Sequence, residues 1–489
     1  MYLGIDLGTS ALKVLLVDDR QRIVDQASVA LEVHRPRPLW SEQDPEAWWQ
    51  ATRAALHQLR ERRSLELGGV RAVGLTGQMH GAVLLGEHDR VLRPAILWND
   101  GRSAAQCRML ETREPRSRQI TGNLAMPGFT APKLLWVAEH EPDVFRRVRI
   151  VLLPKDYLRL RLSGEHASDM SDAAGTLWLD VGKRSWSSAM LAATDLPETA
   201  VPRVVEGSEA TGRLRPGLAA EWGLPADVLI AGGAGDNAAG AVGVGVIRSG
   251  QAFLSLGTSG VYFVASDVFR PNPERAVHTF CHCLPDTWHQ MSVILSAAGC
   301  LPWVVALTGA AGEEPLLQEI ERSDRDPEVV FLPYLSGERT PHNDPQAKGV
   351  FFGLTHETTR ADLGRAVLEG VAFAFADGQD ALAEAGTAIE EVSVIGGGAR
   401  SPLWGRILAS VLDRPLRYPL GGELGPAFGA ARLARLASAH ESPADVCISP
   451  PIATVVEPDP VLRERYRERL GLYRRLYTNL RETFAGGDH

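Results

Sequence analysis

The chain lacks long apolar segments, is poor in cysteine and shows no extended run of charges of one sign. Its 489 residues include 5 Cys, and aromatic residues make up 7% of the total. No stretch approaches the length of a membrane span, and a strand pattern begins near Met1 without a basic segment or apolar signal. We therefore expect a cytoplasmic protein without a membrane partner. An odd and sparse set of cysteines indicates reduced thiols rather than a disulfide framework.

The charge balance argues against a nucleic-acid partner. Lys and Arg number 51 against 60 Asp and Glu, which gives a net charge of −9 at pH 7. Nucleic-acid surfaces are basic, and here neither the sign nor the distribution of charge fits one. The apolar fraction of 45% and the charged fraction of 23% are those of a globular protein. A chain of this length exceeds one usual core and should divide into two lobes.

Two common nucleotide-binding motifs are missing. The sequence contains no Gly-x-x-x-x-Gly-Lys-Ser/Thr, which excludes a P-loop site, and Gly240, Gly243 and Gly245 do not form the dinucleotide fingerprint. The histidines and cysteines between His278 and His289 lack a second ligand pair at zinc-site spacing, so we interpret them as strand residues rather than as a metal centre.

The tetrad Leu-Gly-Thr-Ser occurs twice, at residues 7–10 and 256–259, each time between two apolar runs of strand character. This predicts two hairpins in two related domains. Ordinary turns are the alternative, but the repetition favours a shared role. Glycine lets a turn bring N–H groups close to an anion, and the hydroxyls add donors, so we expect the two turns to hold a polyphosphate between two lobes. The residues concerned are Gly8, Thr9, Ser10, Gly257, Thr258 and Ser259.

Two acids are candidates for the chemistry. Asp6 directly precedes the first tetrad, where it would repel phosphate unless a divalent cation lay between them, so we predict it to be the metal residue. Asp236 follows the glycine-rich residues 232–235 and precedes a small-residue helix pattern. It could be only a helix cap, but a cap does not need three glycines ahead of it. If the reaction is phosphoryl transfer to an alcohol, we assign Asp236 as the general base and Asn237 as a hydroxyl-binding neighbour.

A third glycine turn, at residues 396–398, lies between a predicted strand over 392–395 and a predicted helix over 404–412. Bare backbone there suits the flat ring and ribose of adenosine, so we expect Gly397, Gly398 and Ala399 to contact ATP. A tight crossover turn is the alternative. A further glycine-rich segment, residues 421–430, indicates close packing.

Short apolar runs alternate with helical patterns, which predicts an α/β fold. We expect strands at 70–76, 83–85, 96–98 and 226–231, a helix over 360–384, and an amphipathic C-terminal helix with an apolar stripe from Tyr466 to Phe484. We place the boundary between the lobes near residue 247, giving domains 1–247 and 248–489.

Together these motifs resemble the FGGY family of carbohydrate kinases. The resemblance implies two ribonuclease-H-like lobes, of the actin and hexokinase ATPase kind, around a central cleft, with ATP, Mg²⁺ and a sugar as ligands. A homodimer is an expectation from the resemblance alone. Ala234 stands where the family often has glycine, which is a small change. The motifs that carry the resemblance lie at residues 6–10, 78–81, 98–102, 235–240, 255–259 and 396–400.

Within that family, the Gln-Met-His-Gly and Trp-Asn-Asp-Gly-Arg motifs most resemble members that act on D-xylulose. This implies ATP-dependent formation of D-xylulose 5-phosphate in pentose catabolism, with sugar and base held by the first domain and nucleotide by the second. It implies that Asp236 is the general base and Asp6 a metal-linked catalytic residue. The implied sugar contacts are Gln78, Met79, His80, Trp98, Asp100, Arg102 and Asn237.

Three alternatives stay open at the level of sequence. A kinase for another ketose or polyol, such as ribulose, fuculose or glycerol, would share the architecture. A nucleotide-switched binding protein like actin or an Hsp70 ATPase domain would share the fold without a sugar base, but it leaves the motifs at 78–81 and 98–102 unexplained. His80 and Trp98, taken singly, are equally compatible with structural roles.

Overall fold

The computed structural model describes residues 1–323, 325, 328–420, 425–439 and 441–486. Strands and helices alternate, and each half of the chain forms a seven-stranded sheet with helices against it, which confirms the α/β fold class. Of the glycine-rich segment 421–430, residues 421–424 lie outside the described residues. Within the described part of the chain, no helix has the length and apolarity needed to span a bilayer.

The first half begins with a long hairpin and ends with the helix that carries Asp236. Its strands are β1 (Tyr2–Leu7), β2 (Ala11–Val17), β3 (Ile23–Ala30), β4 (Glu42–Gln43), β5 (Ala72–Gly77), β6 (Val83–Leu85), β7 (Ala95–Ile96), β8 (Ile150–Leu152), β9 (Ala167–Asp169), β10 (Leu179–Asp180), β11 (Ser185–Trp186), β12 (Arg203–Val205), β13 (Ala210–Arg213), β14 (Leu229–Ala231) and β15 (Ala234–Gly235). Its helices are α1 (Pro45–Leu67), α2 (Ala104–Arg113), α3 (Ser117–Thr121), α4 (Thr130–His140), α5 (Pro142–Phe145), α6 (Pro154–Ser163), α7 (Met170–Ala174), α8 (Ser188–Ala192), α9 (Pro216–Trp222) and α10 (Asp236–Val244).

The second half repeats the opening hairpin and ends with a long helix. Its strands are β16 (Gln251–Leu256), β17 (Gly260–Ser266), β18 (His278–Cys281), β19 (Trp288–Ile294), β20 (Val330–Leu332), β21 (Val350–Phe352), β22 (Glu391–Ile395), β23 (Leu416–Pro419) and β24 (Ile452–Val456). Its helices are α11 (Cys300–Thr308), α12 (Glu313–Arg322), α13 (Arg360–Glu384), α14 (Pro402–Leu412), α15 (Pro426–Ser438), α16 (Pro443–Val446) and α17 (Pro460–Ala485).

The two sheets repeat one pattern. In the first, β1 is antiparallel to β2 and parallel to β5, in the order β13-β14-β5-β1-β2-β3, with β15 beside β5. In the second, β16 is antiparallel to β17 and parallel to β22, in the order β18-β19-β17-β16-β22-β23-β24. The repeated tetrads form the turns of β1-β2 and β16-β17, so the repeat marks two structurally related sheets.

One helix of the second half packs on the sheet of the first. Helix α15 lies against β1, β5 and α10, and its Ala427 and Phe428 share a hydrophobic cluster with Tyr2. A side chain at Gly4 would overlap the carbonyl oxygen of Ala427, and one at Gly429 would overlap backbone atoms of α10. Glycine is therefore required here because backbone packs directly against backbone.

The C-terminal helix has the predicted apolar stripe. Tyr466, Tyr473 and Tyr477 of α17 are buried in the same cluster as the core of α13, whose bounds match the predicted helix over 360–384. The Arg-rich face is left toward solvent, as expected of an amphipathic helix. This stripe is part of the hydrophobic core of the second lobe.

Two predicted strands are shorter than the pattern indicated. Residues 226–231 form a strand only at the end of that range, because residues 226 and 227 make a turn after Pro225, which has no N–H to give a sheet. Residues 96–98 overlap only the two-residue strand β7, which pairs with the equally short β4. The strands expected at 70–76, 83–85 and 392–395 are present to within two residues.

Candidate active site

A cavity of about 270 Å³ lies between the two halves of the chain. Its lining includes five residues that the sequence singled out as catalytic or sugar-binding, and one more, Ser259, that was expected at the phosphates. Both halves contribute, so the cavity has the position expected of a cleft between lobes. The five residues are Met79, His80, Trp98, Asp236 and Asn237.

A second cavity, of about 580 Å³, opens in the second half. Gly257 and Thr258 of the hairpin turn and Gly397 and Gly398 of the third glycine turn line it, all four predicted to contact nucleotide. Ala399 instead packs against the core beside them. Thr258 faces this cavity while the next residue, Ser259, faces the first one, so a single turn borders both spaces.

The glycine run before Asp236 fits the loop against protein. A side chain at Gly232 would overlap the carbonyl oxygen of Glu206, and one at Gly233, whose φ is +76°, would overlap that of Leu75. The excess of glycine therefore reflects close packing rather than room for a ligand. It does not support the catalytic assignment of Asp236, as the sequence analysis expected it to. Asp236 is the first residue of α10, with Gly235 at the cap position.

Asp236 and Asp6 lie at one edge of the first sheet. Asp6 on β1 pairs with Thr76 on β5, and Thr76 pairs in turn with Ala234, two residues before Asp236. Burial raises the pKa of Asp236 to about 6, against hydrogen bonds from the Asn237 backbone and side chain that lower it. Burial together with the charge of Asp236 raises the pKa of Asp6 to about 7. Two carboxylates thus share one confined space.

A buried ionic cluster holds the loop that precedes Asp236. Lys155 lies 2.7 Å from Asp156, 2.8 Å from Asp169 and 3.1 Å from Asp172, and all four side chains are fully buried. Asp169 accepts hydrogen bonds from Ser171, whose hydroxyl accepts from the backbone N–H of Gly235 at 3.1 Å. The position of Asp236 therefore depends on a buried network one residue away.

The first hairpin turn lies next to the motifs at residues 78–81 and 98–102. The Thr9 hydroxyl donates to Gln78 Oε1 at 3.1 Å and accepts from Trp98 Nε1 at 2.9 Å. Gln78 is buried, and it donates to Gln43 at 2.9 Å. Neither cavity has Gly8, Thr9 or Ser10 in its lining. The first turn thus supports the wall that carries Trp98.

His80 is held in a strained backbone conformation at the cavity. Its φ is +67°, which is uncommon for a residue with a side chain. Its carbonyl accepts from the Lys133 ammonium at 2.8 Å and from Thr130 at 3.1 Å, and its ring Nδ1 lies 2.8 Å from the carbonyl of Gly175. Burial lowers the pKa of His80 to about 3, so the ring is neutral. Nδ1 then carries the proton, and Nε2 is an acceptor.

Asp100 and Arg102 form a buried ion pair that does not line the cavity. Their side chains are 0% and 1% exposed and lie 2.7 Å apart. Asp100 also accepts from the backbone of Ser41 at 2.6 Å, and the Arg102 guanidinium lies 3.6 Å from the ring centre of Trp40. These contacts fold residues 98–102 against the loop before β4. We therefore assign them to holding Trp98 in place.

The sequence reasoning did not identify several cavity residues. Arg339 and His278 bring polar groups from the second half, and Met126, Phe129 and Phe280 supply apolar surface. Arg339 lies in a short polar segment, Gly-Glu-Arg-Thr-Pro, nine residues after Val330 on β20. This segment could have been recognised in the sequence, but nothing in its spacing indicates which cavity it lines.

The acids at the sheet edge fit a magnesium ion carried in by phosphates. Among the described residues, no group of three or more His, Cys, Asp or Glu side chains is placed to hold a metal by itself. Asp6 and Asp236 provide two carboxylates. The charge of Asp236 contributes to the raised pKa of Asp6, so a cation between them would relieve their repulsion. Mg²⁺ commonly binds one or two carboxylates together with substrate phosphates, so the donor set suits it.

Two family profiles match the chain in succession. That of the N-terminal domain of the FGGY family of carbohydrate kinases matches residues 1–243, and that of the C-terminal domain matches residues 252–438. The xylulose kinase of Escherichia coli K12 is 56% identical over 482 residues, or 98% of this chain and 99% of that protein. The xylulose kinase of Bacillus subtilis 168 is 36% identical over 486 residues, or 98% and 97% of the two chains. The crystal structure of a xyloylose kinase from Brucella ovis matches with a TM-score of 0.96 at 52% identity and 99% coverage of both chains.

Proposed function

Because the chain belongs to the FGGY family of carbohydrate kinases, we propose that it phosphorylates D-xylulose with ATP and releases D-xylulose 5-phosphate and ADP. The observation that carries the proposal is the position of Asp236, a half-buried carboxylate in a cavity bordered by both halves and by the turn that also lines the second cavity. Full-length identity of 56% to a xylulose kinase supports the choice of sugar.

We assign Asp236 as the general base. Both hydrogen bonds from Asn237, at 2.8 and 2.9 Å, go to Oδ1, so Oδ2 is the oxygen we assign to the substrate hydroxyl. A pKa of about 6 keeps the carboxylate ionised at neutral pH while leaving it more basic than an exposed aspartate. Asp236 thereby takes the hydroxyl proton as the oxygen attacks the γ-phosphorus.

The roles divide between the halves. Residues 1–247 supply the base and the sugar contacts predicted from the sequence, and residues 248–489 hold the nucleotide. Helix α15 belongs to the second half but packs on the sheet of the first. The bare backbone of Gly257, Gly397 and Gly398 receives the phosphates and adenosine in the second cavity. Closure of the two halves on the sugar excludes water, which is a competing acceptor for the phosphoryl group.

Asp6 is the residue we assign to Mg²⁺. When bound, the ion neutralises negative charge on the transferring phosphate. Asp6 is suited to this because its carboxylate is buried beside Asp236, where a cation relieves their repulsion. On the family resemblance alone we also propose a cytoplasmic location and a homodimer, and sedimentation of the purified chain tests the second.

The test is a coupled ADP-release assay with D-xylulose, D-ribulose, L-fuculose, xylitol and glycerol. We expect D-xylulose to have the highest kcat/KM, and Asp236→Asn to lower kcat about 10²- to 10⁴-fold while retaining sugar binding by calorimetry. Asp195→Asn, which removes an exposed carboxylate paired with Arg113, is the control and should leave kcat unchanged. Near-parent turnover by Asp236→Asn would remove the assigned base, and preference for another sugar would overturn the choice of substrate.

A further inference from the structure

The second half of the chain contributes a polar end to the first cavity. Arg339 is half-buried and lines the cavity, and within the described residues it forms no ion pair. In the described part of the chain its neighbour Glu338 does not form an ion pair with it, because the carboxyl accepts hydrogen bonds from the backbone N–H groups of Leu295 and Arg339. Burial raises the pKa of Glu338 to about 8. A guanidinium carries donors only, so this end of the cavity requires an acceptor on the ligand.

A relay of hydrogen bonds fixes the direction of Arg339. Asn123 donates its amide to the carbonyls of Thr121 and Thr279, both at 2.8 Å. Its Oδ1 is therefore an acceptor, and it accepts from the backbone N–H of Thr279 at 3.2 Å. Nδ1 of His278 lies 3.2 Å from that oxygen and must be the protonated nitrogen. Nε2 is then an acceptor, and the Arg339 guanidinium lies 3.3 Å from it. Asn123 thus sets the His278 tautomer that receives Arg339.

The same end of the cavity contains His80. The rings of His80 and His278 both pack on Phe129, with ring centres 4.8 and 5.5 Å from it. Arg339 contacts His278, so the guanidinium and the two imidazoles border the same part of the cavity. Asp236 lines the same cavity beside Asn237. The cavity consequently offers a carboxylate acceptor at Asp236, an imidazole acceptor at His80 and a guanidinium donor.

The chemistry of a 2-ketopentose calls for a donor of this kind. In the furanose form the C5 oxygen is bonded to C2, so the hydroxyl that receives the phosphate is free only in the open-chain form. The open chain carries a free C2 carbonyl, which accepts hydrogen bonds and donates none. A hydrogen-bond donor at the carbonyl, together with a base at the C5 hydroxyl, would bind the open chain in the orientation that the reaction requires.

We propose that Arg339 binds the C2 carbonyl oxygen of the open-chain ketose and thereby selects a ketose over the corresponding polyol. His278 and Asn123 act through Arg339 as positioning residues. This inference rests on the proposed function, because it takes a five-carbon ketose as substrate. It explains why a residue of the second half should line a cavity whose predicted sugar contacts all come from the first.

The test compares D-xylulose with its two C2-reduced polyols, xylitol and D-arabitol, in the parent and in Arg339→Gln. We expect kcat/KM for D-xylulose to fall about 100-fold in Arg339→Gln, because the carbonyl loses its hydrogen-bond donor. The kcat/KM values for the two polyols should stay within about threefold of the parent values. Inhibition constants of the polyols against D-xylulose provide the same comparison if their turnover is slow. Equal losses for ketose and polyols, or no loss for either, would overturn the proposal.

Two controls separate a local effect from general damage. Arg414→Gln removes another part-buried arginine of the second half, which donates to Gln379 at 2.9 Å and does not line the cavity. It should leave the ratio of ketose to polyol unchanged. The KM for ATP should be unchanged in both variants, since Arg339 does not line the second cavity.

The positioning role has its own readout. His278→Leu should raise KM for D-xylulose about tenfold, with kcat less affected and polyol inhibition unchanged, because Arg339 loses the acceptor that directs it. An unchanged KM would show that Arg339 is held without His278. A parent enzyme that prefers another sugar class would refute the proposed function itself, whereas a parent that prefers D-xylulose with an Arg339→Gln variant of unaltered selectivity would refute this inference alone.

Discussion

The indole Nε1 of Trp98 donates a hydrogen bond to the hydroxyl of Thr9 at 2.9 Å. That hydroxyl in turn donates its own proton to Gln78. Thr9 was expected at the nucleotide phosphates, but its side chain already hydrogen-bonds to Gln78 and Trp98, and Trp98 lines the first cavity. Any contact of this turn with phosphate is thus left to backbone N–H groups and to Ser10, which is exposed.

Thr9→Val should therefore affect the sugar more than the nucleotide. Loss of the hydroxyl frees Trp98 and leaves Gln78 without a donor, so we expect KM for D-xylulose to rise about three- to tenfold, as for one hydrogen bond. Thr9→Ser keeps the hydroxyl and should behave like the parent. A tenfold rise in KM for ATP with an unchanged KM for D-xylulose would instead place the hydroxyl at the phosphates.

The acid limb of the pH profile should report the general base. Burial raises the pKa of Asp236 to about 6. The base acts only when ionised, so kcat/KM for D-xylulose should fall about tenfold per unit of pH below about pH 6. Measurement in a buffer series of constant ionic strength checks this. Activity that stays level down to about pH 5 would be inconsistent with Asp236 as a base of this pKa.

The contribution of Asp6 to stability should decrease as pH rises, whereas activity should increase. The pKa of Asp6 is about 7 in the folded chain against an ordinary value of 3.8, so the folded form holds a proton that the unfolded form has lost. The resulting stabilisation is complete below about pH 4 and is lost as pH rises through about 7. Asp6→Asn should accordingly raise the free energy of unfolding at about pH 8 by on the order of 1–3 kcal/mol.

A carboxylate with the opposite shift provides the contrast. Hydrogen bonding to Arg62 lowers the pKa of Asp25 to about 2, so its contribution is present at neutral pH and lost in acid. Asp25→Asn should lower the free energy of unfolding at about pH 8, where Asp6→Asn raises it. Urea denaturation of both variants measures the two signs. A lower free energy of unfolding for Asp6→Asn at about pH 8 would contradict the idea that burial of the Asp6 charge beside Asp236 is unfavourable.

Removal of Lys155 should destabilise the chain strongly. Lys155→Met leaves Asp156, Asp169 and Asp172 buried without their shared cation, and breaking such a cluster costs about 3–5 kcal/mol. Lys183→Met breaks an exposed pair with Asp180 and should cost less than about 1 kcal/mol. Thermal or urea unfolding compares the two. Similar losses for both variants would show that the buried cluster adds nothing beyond a surface pair.

A methyl group at Gly429 should separate α15 from α10. The added carbon would overlap the Ala239 carbonyl, which is backbone and has little room to move. We expect Gly429→Ala to lower the free energy of unfolding by about 1–3 kcal/mol, as for overpacking. Gly471→Ala in α17, where the nearest atom is a flexible arginine end at 3.5 Å, should instead stabilise by about 0.5–1 kcal/mol. An unfolding midpoint unchanged by Gly429→Ala would argue against a tight seam.

Local patterns were sufficient for the elements that depend on near neighbours. The hairpins around Gly8 and Gly257 combine strand patterns with a turn that glycine permits, and the start of α10 at Asp236 follows from a glycine turn and a run of small residues. These features are encoded within about ten residues, which is the range over which periodicity and turn chemistry act.

Features that depend on distant parts of the chain could not be predicted in this way. Arg339 lines the first cavity because the second half as a whole places β20 and the loop after it there, and no spacing in the sequence indicates that placement. Asp100 and Arg102 were expected in the cavity, yet the long-range partners Ser41 and Trp40 turn them inward. A polar motif shows that residues matter together without showing which of them faces the ligand.

Helix α15 has a consequence for how the chain can be divided. A cut near residue 247 would separate the sheet of the first half from the helix that covers it, exposing Tyr2 and Ala72 to water. The amino-terminal fragment expressed alone would carry a bare apolar face, and the carboxy-terminal fragment would carry an unsupported glycine-bearing helix. Genetic splitting of this kinase would therefore yield fragments that regain solubility only by reassembling with each other.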